Sequence, residues 1–254
     1  MHLYLPVAPA YKSKSQQIRV SSEPWVAKWV FCPNCGEDNL HSYENNRQVA
    51  DFYCSVCRHE YELKSKAGSL GRKVNDGAYS TMIERINGTN SPSFFFLNYD
   101  RGTRAITDLL VVPGFYFTTP IIERRKPLAS TARRAGWVGC NILIDRLPLA
   151  SRIHYVKAGV ERPKNQVRHT WEKLRFLERV TRQEQKTWLL DIMDCIEMLG
   201  EREFTLAQIY AYEDYLQARH PQNAHVRDKI RQQLQVLRDQ GYLKFLGSGV
   251  YQVN

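Results

Sequence analysis

Two Cys-x-x-Cys pairs constrain this chain more than any other feature of it. FCPNC at 31–35 and FYCSVC at 52–57 set four thiols in two close pairs separated by eighteen residues. That is the spacing of a structural tetrahedral Zn²⁺ site, with Cys32, Cys35, Cys54 and Cys57 as ligands. A lone pair of this kind can equally be a redox dithiol, whereas two pairs at this distance point to a metal. Such a cage pins the second pair to a turn, so that strands over about 48–54 and 59–65 run antiparallel. Residue 54 then faces 59, and Asp51 falls opposite Glu62 with β-carbons about 5 Å apart. Lys64 shares their face because strand side chains alternate. A slip of one residue would send Asp51 and Glu62 to opposite faces, so the turn that fixes register is a precondition of any chemistry there.

Two carboxylates converging beside an ammonium suit a hard, oxygen-seeking ion such as Mg²⁺, with Lys64 left to orient or deprotonate an attacking water. Such a set performs phosphodiester hydrolysis. The bland alternative is a solvated hairpin whose alternate residues are charged, since Asp-x10-Glu-x-Lys recurs by chance.

At 254 residues the chain holds one large domain or two modest ones. It has no apolar run of about 18 residues, and MHLYLPVAPAYKSK lacks the apolar stretch of a signal peptide, so no membrane partner and a cytoplasmic location are expected. The two remaining cysteines, Cys140 and Cys195, are expected as buried small hydrophobes rather than a disulfide. The net charge of +10 is uneven: residues 183–254 carry 8 Lys and Arg against 10 Asp and Glu, which leaves the whole excess on residues 1–182. Basic charge gathered with the candidate site fits a polyanionic backbone as partner.

Along the chain, VSSEPWVAKWVF (20–31) reads as a helix starting near Ser22 with Pro24 in its first turn. NDGAYSTMIERI (75–86) reads as a helix capped by Asp76, with Tyr79, Met82, Ile83 and Ile86 on one side. SFFFLNY (93–99) and ITDLLVVP (106–113) read as strands, which gives a βαβ crossover and a mixed sheet with Glu62 and Lys64 on an early strand. ERRKPLASTARRAGWVGCN (123–141) sets Arg124, Arg125, Lys126, Arg133 and Arg134 against Glu123 alone. Its small residues let a backbone approach phosphates, and Trp137 offers a flat apolar surface beside them. A solvated basic loop is the competing reading. RIHYV (152–156) is a short strand, and NQVRHTWEKLRFLERVTRQ (165–183) a basic helix packing Trp171, Leu174 and Leu177 inward.

The C-terminal part has a pattern of its own: a helix over 186–199 ended by Gly200, and one over 204–219 opened by a Thr205/Gln208 capping box. A third, capped by Asn223, carries Val226, Ile230, Leu234 and Leu237 on one face, and a hairpin at 242–253 turns on Gly247-Ser248-Gly249. Three helices and a two-stranded wing describe a winged helix. Arg227, Arg231, Gln232, Gln235 and Arg238 lie off the apolar stripe and, with Asn223 and His225, make a set able to bond base edges and phosphates. Winged helices also serve as protein-binding modules.

Read together, VADFYCSVCRHEYELKSK, VNDGAYSTMIERI, RKPLASTARRAGWVGCNI and DKIRQQLQVLRDQGYLKFLGSGVY closely resemble the DpnI type of methyl-directed restriction endonuclease over nearly the whole chain. The resemblance implies an α+β, mixed architecture: a PD-(D/E)xK nuclease fold with an inserted four-cysteine zinc site over 1–182, then a winged helix over 183–254. It implies Mg²⁺-dependent cutting of double-stranded DNA at GATC when the adenines carry N6-methyl groups. The family motif falls on Asp51, Glu62 and Lys64, with the Leu63 carbonyl as a further metal ligand; Ala50 replaces the motif's proline, which supplies no ligand. The resemblance also divides recognition of the methylated site between both domains. The methyl protrudes into the major groove, where an apolar wall gains about 1 kcal/mol by burying it, and Trp137 is the expected wall. Two rival functions are a zinc-containing winged-helix transcription regulator without nuclease activity and a nuclease of the same fold that ignores methylation. With no paired dimerisation helix in the sequence, a monomer is expected.

Overall fold

The computed structural model describes residues 1–7, 11, 13–44, 50–88 and 91–254. These form two compact units, one of 1–146 with 151–172 and the other of 147–150 with 173–254.

In the first unit a helix, α1 (Lys14–Trp29), precedes strands β1 (His41–Ser42), β2 (Phe52–Tyr53), β3 (Glu60–Ala67) and β4 (Lys73–Ala78). Helix α2 (Tyr79–Asn87) leads to β5 (Ser93–Tyr99), β6 (Ile106–Val112), β7 (Ile122–Arg124), β8 (Gly139–Leu143), β9 (Ile153–Lys157) and β10 (Val160–Glu161). Seven strands form one mixed sheet in the order β1-β2-β3-β5-β6-β9-β10, and β4-β8-β7 form a second. Strands β3 and β5 run parallel, Tyr61 beside Ser93 through Ala67 beside Tyr99. A parallel neighbour needs a crossover, and α2 supplies it, as the apolar spacing indicated. Phe94, Phe95, Phe96 and Leu97 are wholly buried, which is the continuous apolar run of a strand covered on both faces. Each such side chain contributes about 2 kcal/mol to burial. This rigid centre holds β3, and β3 carries the candidate site.

Helix α3 (Lys164–Leu174) leads on to the second unit, in which α4 (Gln183–Leu199), α5 (Leu206–Tyr210), α6 (Glu213–Arg219) and α7 (Val226–Asp239) pack with β11 (Glu203–Thr205), β12 (Leu243–Gly247) and β13 (Val250–Val253). Strands β11, β13 and β12 make an antiparallel sheet. Val226, Ile230, Leu234 and Leu237 bury the inner face of α7. Gly200 ends α4 in the left-handed region at φ 68°, where glycine carries no side-chain penalty. A sheet unit followed by a winged helical unit is the architecture expected from the sequence.

Several local expectations are corrected. Helix α1 starts at Lys14, not near Ser22, and holds Pro24 in its interior. The backbone bond lost there, about 3 kcal/mol, is offset by burial of Trp25 and Val26 and by a bond from the Trp25 indole to the His2 carbonyl at 2.8 Å. Residues 75–78, expected as helix, are the end of strand β4, because they pair with β8 far along the chain; α2 begins only at Tyr79 and has no side-chain cap. The helix expected over 165–183 stops at Leu174 and tightens into a 3-10 turn over Arg175–Arg179. Trp171, Leu174 and Leu177 are buried all the same.

The helix expected over 204–219 is two, α5 and α6. Tyr212 N–H tightens onto the Ile209 carbonyl, and Glu213 and Asp214 give α6 a fresh acidic first turn. The Thr205/Gln208 capping box is present. Asn223 does not cap α7; its side chain accepts from the His225 N–H at 2.8 Å, the local turn that asparagine offers in competition with a cap. The expected hairpin wing is present as β12 and β13, and β11 adds a third strand to its sheet. The first strand of the cysteine hairpin was expected over about 48–54; residues 48 and 49 lie outside the described residues, and the strand described is Phe52–Tyr53.

Candidate active site

The four cysteines meet. Cys32 Sγ lies 3.5 Å from Cys57 Sγ and Cys35 Sγ lies 3.4 Å from Cys54 Sγ, and all four fall within 4.8 Å of one another. Zn–S bonds of about 2.3 Å in a tetrahedron set sulfurs ~3.8 Å apart, so the quartet fits Zn²⁺. Both knuckles use one backbone device: Gly36 N–H donates to the Cys32 carbonyl and Arg58 N–H to the Cys54 carbonyl, with both residues at positive φ. Burial pushes the Cys32 thiol up strongly, so a thiolate there needs a cation beside it. Cys140 and Cys195 are buried, unpaired thiols.

Cys54 N–H donates to the His59 carbonyl, and Phe52 pairs with Tyr61 and Tyr53 with Glu60. The pairing of β2 ends there, and the Asp51 N–H donates to the Tyr61 carbonyl at 2.8 Å, so Asp51 is not set squarely opposite Glu62 as expected. Past the end of β2, the Asp51 side chain takes over the edge of β3: its Oδ2 accepts from Leu63 N–H at 2.8 Å. A strand residue points its N–H and C=O to the same edge, so the Leu63 carbonyl faces the Asp51 side. Glu62 is 8% exposed, and its Oε1 accepts from Lys64 Nζ. Burial pushes the Glu62 carboxyl up, to about 8, with Lys64 opposing and Asp76 reinforcing. For Lys64 burial works downwards, but Glu62 and Asp76 outweigh it and raise the ammonium.

The sequence reading missed Asp76, having taken it for a helix cap. It sits on β4 in the other sheet and accepts from Lys64 Nζ at 2.5 Å. The alternation of Lys73, Val74, Asn75 and Asp76 between outward and inward positions was the available signal. One oxygen each of Glu62 and Asp76 is buried without a hydrogen-bond partner. Two buried carboxylates share one ammonium, with Asp51 adjacent, so the cluster carries surplus negative charge and unsatisfied hard oxygens. That is a fit for a divalent ion such as Mg²⁺.

Two cavities open beside the cluster. One of about 500 Å³ is lined by Arg19, Glu23, Asp51, Glu62 and Lys64. The other, of about 370 Å³, is lined by Glu62, Asp76, Thr81, Met82, Arg134 and Trp137. The structure therefore places Trp137 on the same cavity as the acids. The hairpin that carries it runs from β7 to β8 and is held past the strands by bonds between Leu128 and Trp137 and between Leu128 and Gly136. Arg124, Lys126, Arg133 and Arg134 are exposed on it and Arg125 is half-buried, and the Arg134 guanidinium lies 4.5 Å from the centre of the Trp137 ring.

The family models cover both units. The model of DpnI, the Dam-replacing family, matches residues 1–180, and that of its helix-turn-helix domain, DpnI_C, matches residues 184–253. The chain belongs to the Dam-replacing family. Members of the DpnI family are restriction endonucleases acting on DNA, and the Dam-replacing chain accordingly pairs a nuclease unit with a helix-turn-helix unit. On the latter, Arg227, Arg231, Gln232, Gln235 and Arg238 lie exposed along α7, with His225 exposed just before it and Asn223 half-buried. Arg227 pairs with Glu213 at 2.7 Å, Arg238 with Asp239 at 2.8 Å and Arg231 with Asp228. No described helix is long and apolar enough to cross a membrane.

Proposed function

We propose that this chain is a Mg²⁺-dependent endonuclease that cuts double-stranded DNA at GATC sites whose adenines carry N6-methyl groups. Residues 1–182 are the catalytic domain and residues 183–254 the second reading domain, in a chain that works as a monomer. The observation that carries the reading is the meeting of Asp51, Glu62 and Lys64 on one buried, over-acidic cluster beside a basic hairpin.

Asp51, Glu62 and the Leu63 carbonyl would hold the ion. When bound, Mg²⁺ polarises a phosphate oxygen and lowers the pKa of a water. Asp51 is fixed by its bond to Leu63 N–H, so its Oδ1 is presented without a rotameric search. Lys64, charged and held against β3, orients the attacking water and offers an ammonium to the negative charge that develops on phosphorus oxygens. The exposed arginines of the β7–β8 hairpin supply contacts to the DNA backbone, which position the duplex without reading it. The face of Trp137 gives the methyl group an apolar wall, while α7 enters a groove with its exposed Gln and Arg side chains.

Matched plasmids with and without adenine methylation, incubated with Mg²⁺, test the reading. Cutting of the methylated plasmid alone at GATC is expected. Equal cutting of both would leave a nuclease blind to methylation, and cutting of neither would leave a DNA-binding regulator. Trp137→Ala should reduce preference for methylated DNA by about 5- to 10-fold, the factor that about 1 kcal/mol gives. Gly139→Ala should do the same with the ring still present, because a methyl there would lie 2.7 Å from Trp137 Cη2 and displace it. Unchanged preference in both variants would remove Trp137 from recognition.

A further inference from the structure

Asp76 is the side chain at the site for which neither the motif nor the reaction has a use. It comes from β4, outside the sheet that carries the other three groups, and its side chain is 3% exposed. Its Oδ1 accepts from both Lys64 Nζ at 2.5 Å and Gly77 N–H at 2.6 Å. The second bond exists because β4 is bulged there: Asp76 pairs with Cys140 and Ala78 with Gly139, with Gly77 as the extra residue. A bulge frees one N–H from the ladder and re-aims its neighbour, and here the freed group fixes the carboxylate. The anchor for Asp76 is therefore backbone, not a mobile side chain.

We propose that Asp76 is a positioning residue for Lys64, holding the ammonium in place while Glu62 is engaged with the metal. This rests on the reading of Asp51, Glu62 and Lys64 given above. With Glu62 as its only partner, Lys64 would follow the Glu62 carboxylate and compete with the ion for the same oxygens. A second acid on a fixed strand removes that competition, since the ammonium keeps a charged partner when Glu62 turns to the ion. The ligand set proposed above is Asp51, Glu62 and the Leu63 carbonyl, and Asp76 stands outside it. Among the described residues, the cysteine quartet is the only group of three or more His, Cys, Asp or Glu ligands whose atoms lie within 4.8 Å of one another. Asp51, Glu62 and Asp76 form no such trio. Strand β4 also pairs with β8 immediately after the hairpin that carries Trp137, so the positioning group lies on the sheet that bears the basic loop.

The test uses the full chain, a methylated duplex and single-turnover cleavage, with DNA affinity measured separately and Mg²⁺ titrated. Asp76→Ala is expected to slow cleavage about 100-fold, the effect of misplacing a reacting group by about an ångström. DNA affinity and the Mg²⁺ concentration for half-maximal rate should stay unchanged. Asp76→Asn keeps an acceptor oxygen but not the charge, and should recover most of the rate, remaining roughly 5- to 10-fold slow. If Asp76→Ala fails to fold, Asp76→Asn carries the test, and a wild-type rate in it overturns the proposal. A rate lost in Asp76→Ala but restored by excess Mg²⁺ makes Asp76 a metal ligand and also overturns it. Lys64→Ala run alongside separates the two levels. If that variant is inactive while both Asp76 variants cut normally, only Asp76 loses its role; if Lys64→Ala cuts normally, the reading of the whole site fails.

Discussion

Glu62→Gln and Asp51→Asn chains are expected to fold, to bind methylated duplex as the parent does, and to cut it at least about 1,000-fold more slowly. Both amides keep the shape of the acid, so the loss falls on the step that needs a hard anionic ligand. Glu62→Gln has a second expected effect of opposite sign. The buried cluster holds more negative than positive charge, and Glu62 Oε2 and Asp76 Oδ2 have no hydrogen-bond partners. Burial holds the Glu62 carboxyl up at about 8, so near neutral pH folding must first protonate it; an amide needs no proton, and the melting temperature of the metal-free protein should rise, by roughly 2–4 °C for each kcal/mol gained. An enzyme that gives up stability to hold its ligands apart from their partners shows this trade. Cleavage by Glu62→Gln near the parent rate would exclude the proposed site, and a lowered melting temperature would contradict its electrostatics.

Removing zinc is the other large expected effect. Four-thiolate sites contribute apparent binding free energies on the order of 10 kcal/mol, and that energy is folding energy. The hold of Asp51 on β3 depends on two paired residues of β2 and the turn behind them. Chelation, or Cys54→Ser, should therefore abolish cleavage in a way that added Mg²⁺ does not restore. Native mass spectrometry should find one zinc per chain before chelation. In circular dichroism the sheet-rich unit should lose its melting transition while the helices of residues 183–254 keep theirs. Cleavage that survives complete removal of zinc would show that the strands hold their alignment unaided.

What the sequence made legible followed from local chemistry. The knuckle turn fixes the Cys54 to His59 bond, and counting from it gives the pairing of Phe52 with Tyr61, but not the next step, where the Asp51 N–H also turns to the Tyr61 carbonyl. The stripe of α7 and the Thr205/Gln208 box were legible for the same reason: each is set by residues within a few positions. Asp76 was not, because its position depends on β8, and Asp-Gly before an apolar helix pattern is equally good cap chemistry. Pro24 misled in a related way. Proline favours a helix start, but here the interior position is retained by the burial of Trp25 and Val26, which no local rule anticipates. The break between α5 and α6 likewise leaves both Ile209 and Leu216 buried, so the apolar periodicity runs straight through it.

The arginines of α7 have neighbours of their own in the free protein: Glu213 for Arg227, Asp228 for Arg231 and Asp239 for Arg238. Exposed pairs of this kind are weak, about 0–1 kcal/mol each, yet on the proposed reading a phosphate that claims one of these cations must first displace a carboxylate. The helix is in effect partly self-neutralised, so it should cling to random duplex less, and shed less salt on binding, than its arginine count implies. A protein that must pass over a chromosome's worth of wrong sites gains from a surface that is slow to stick.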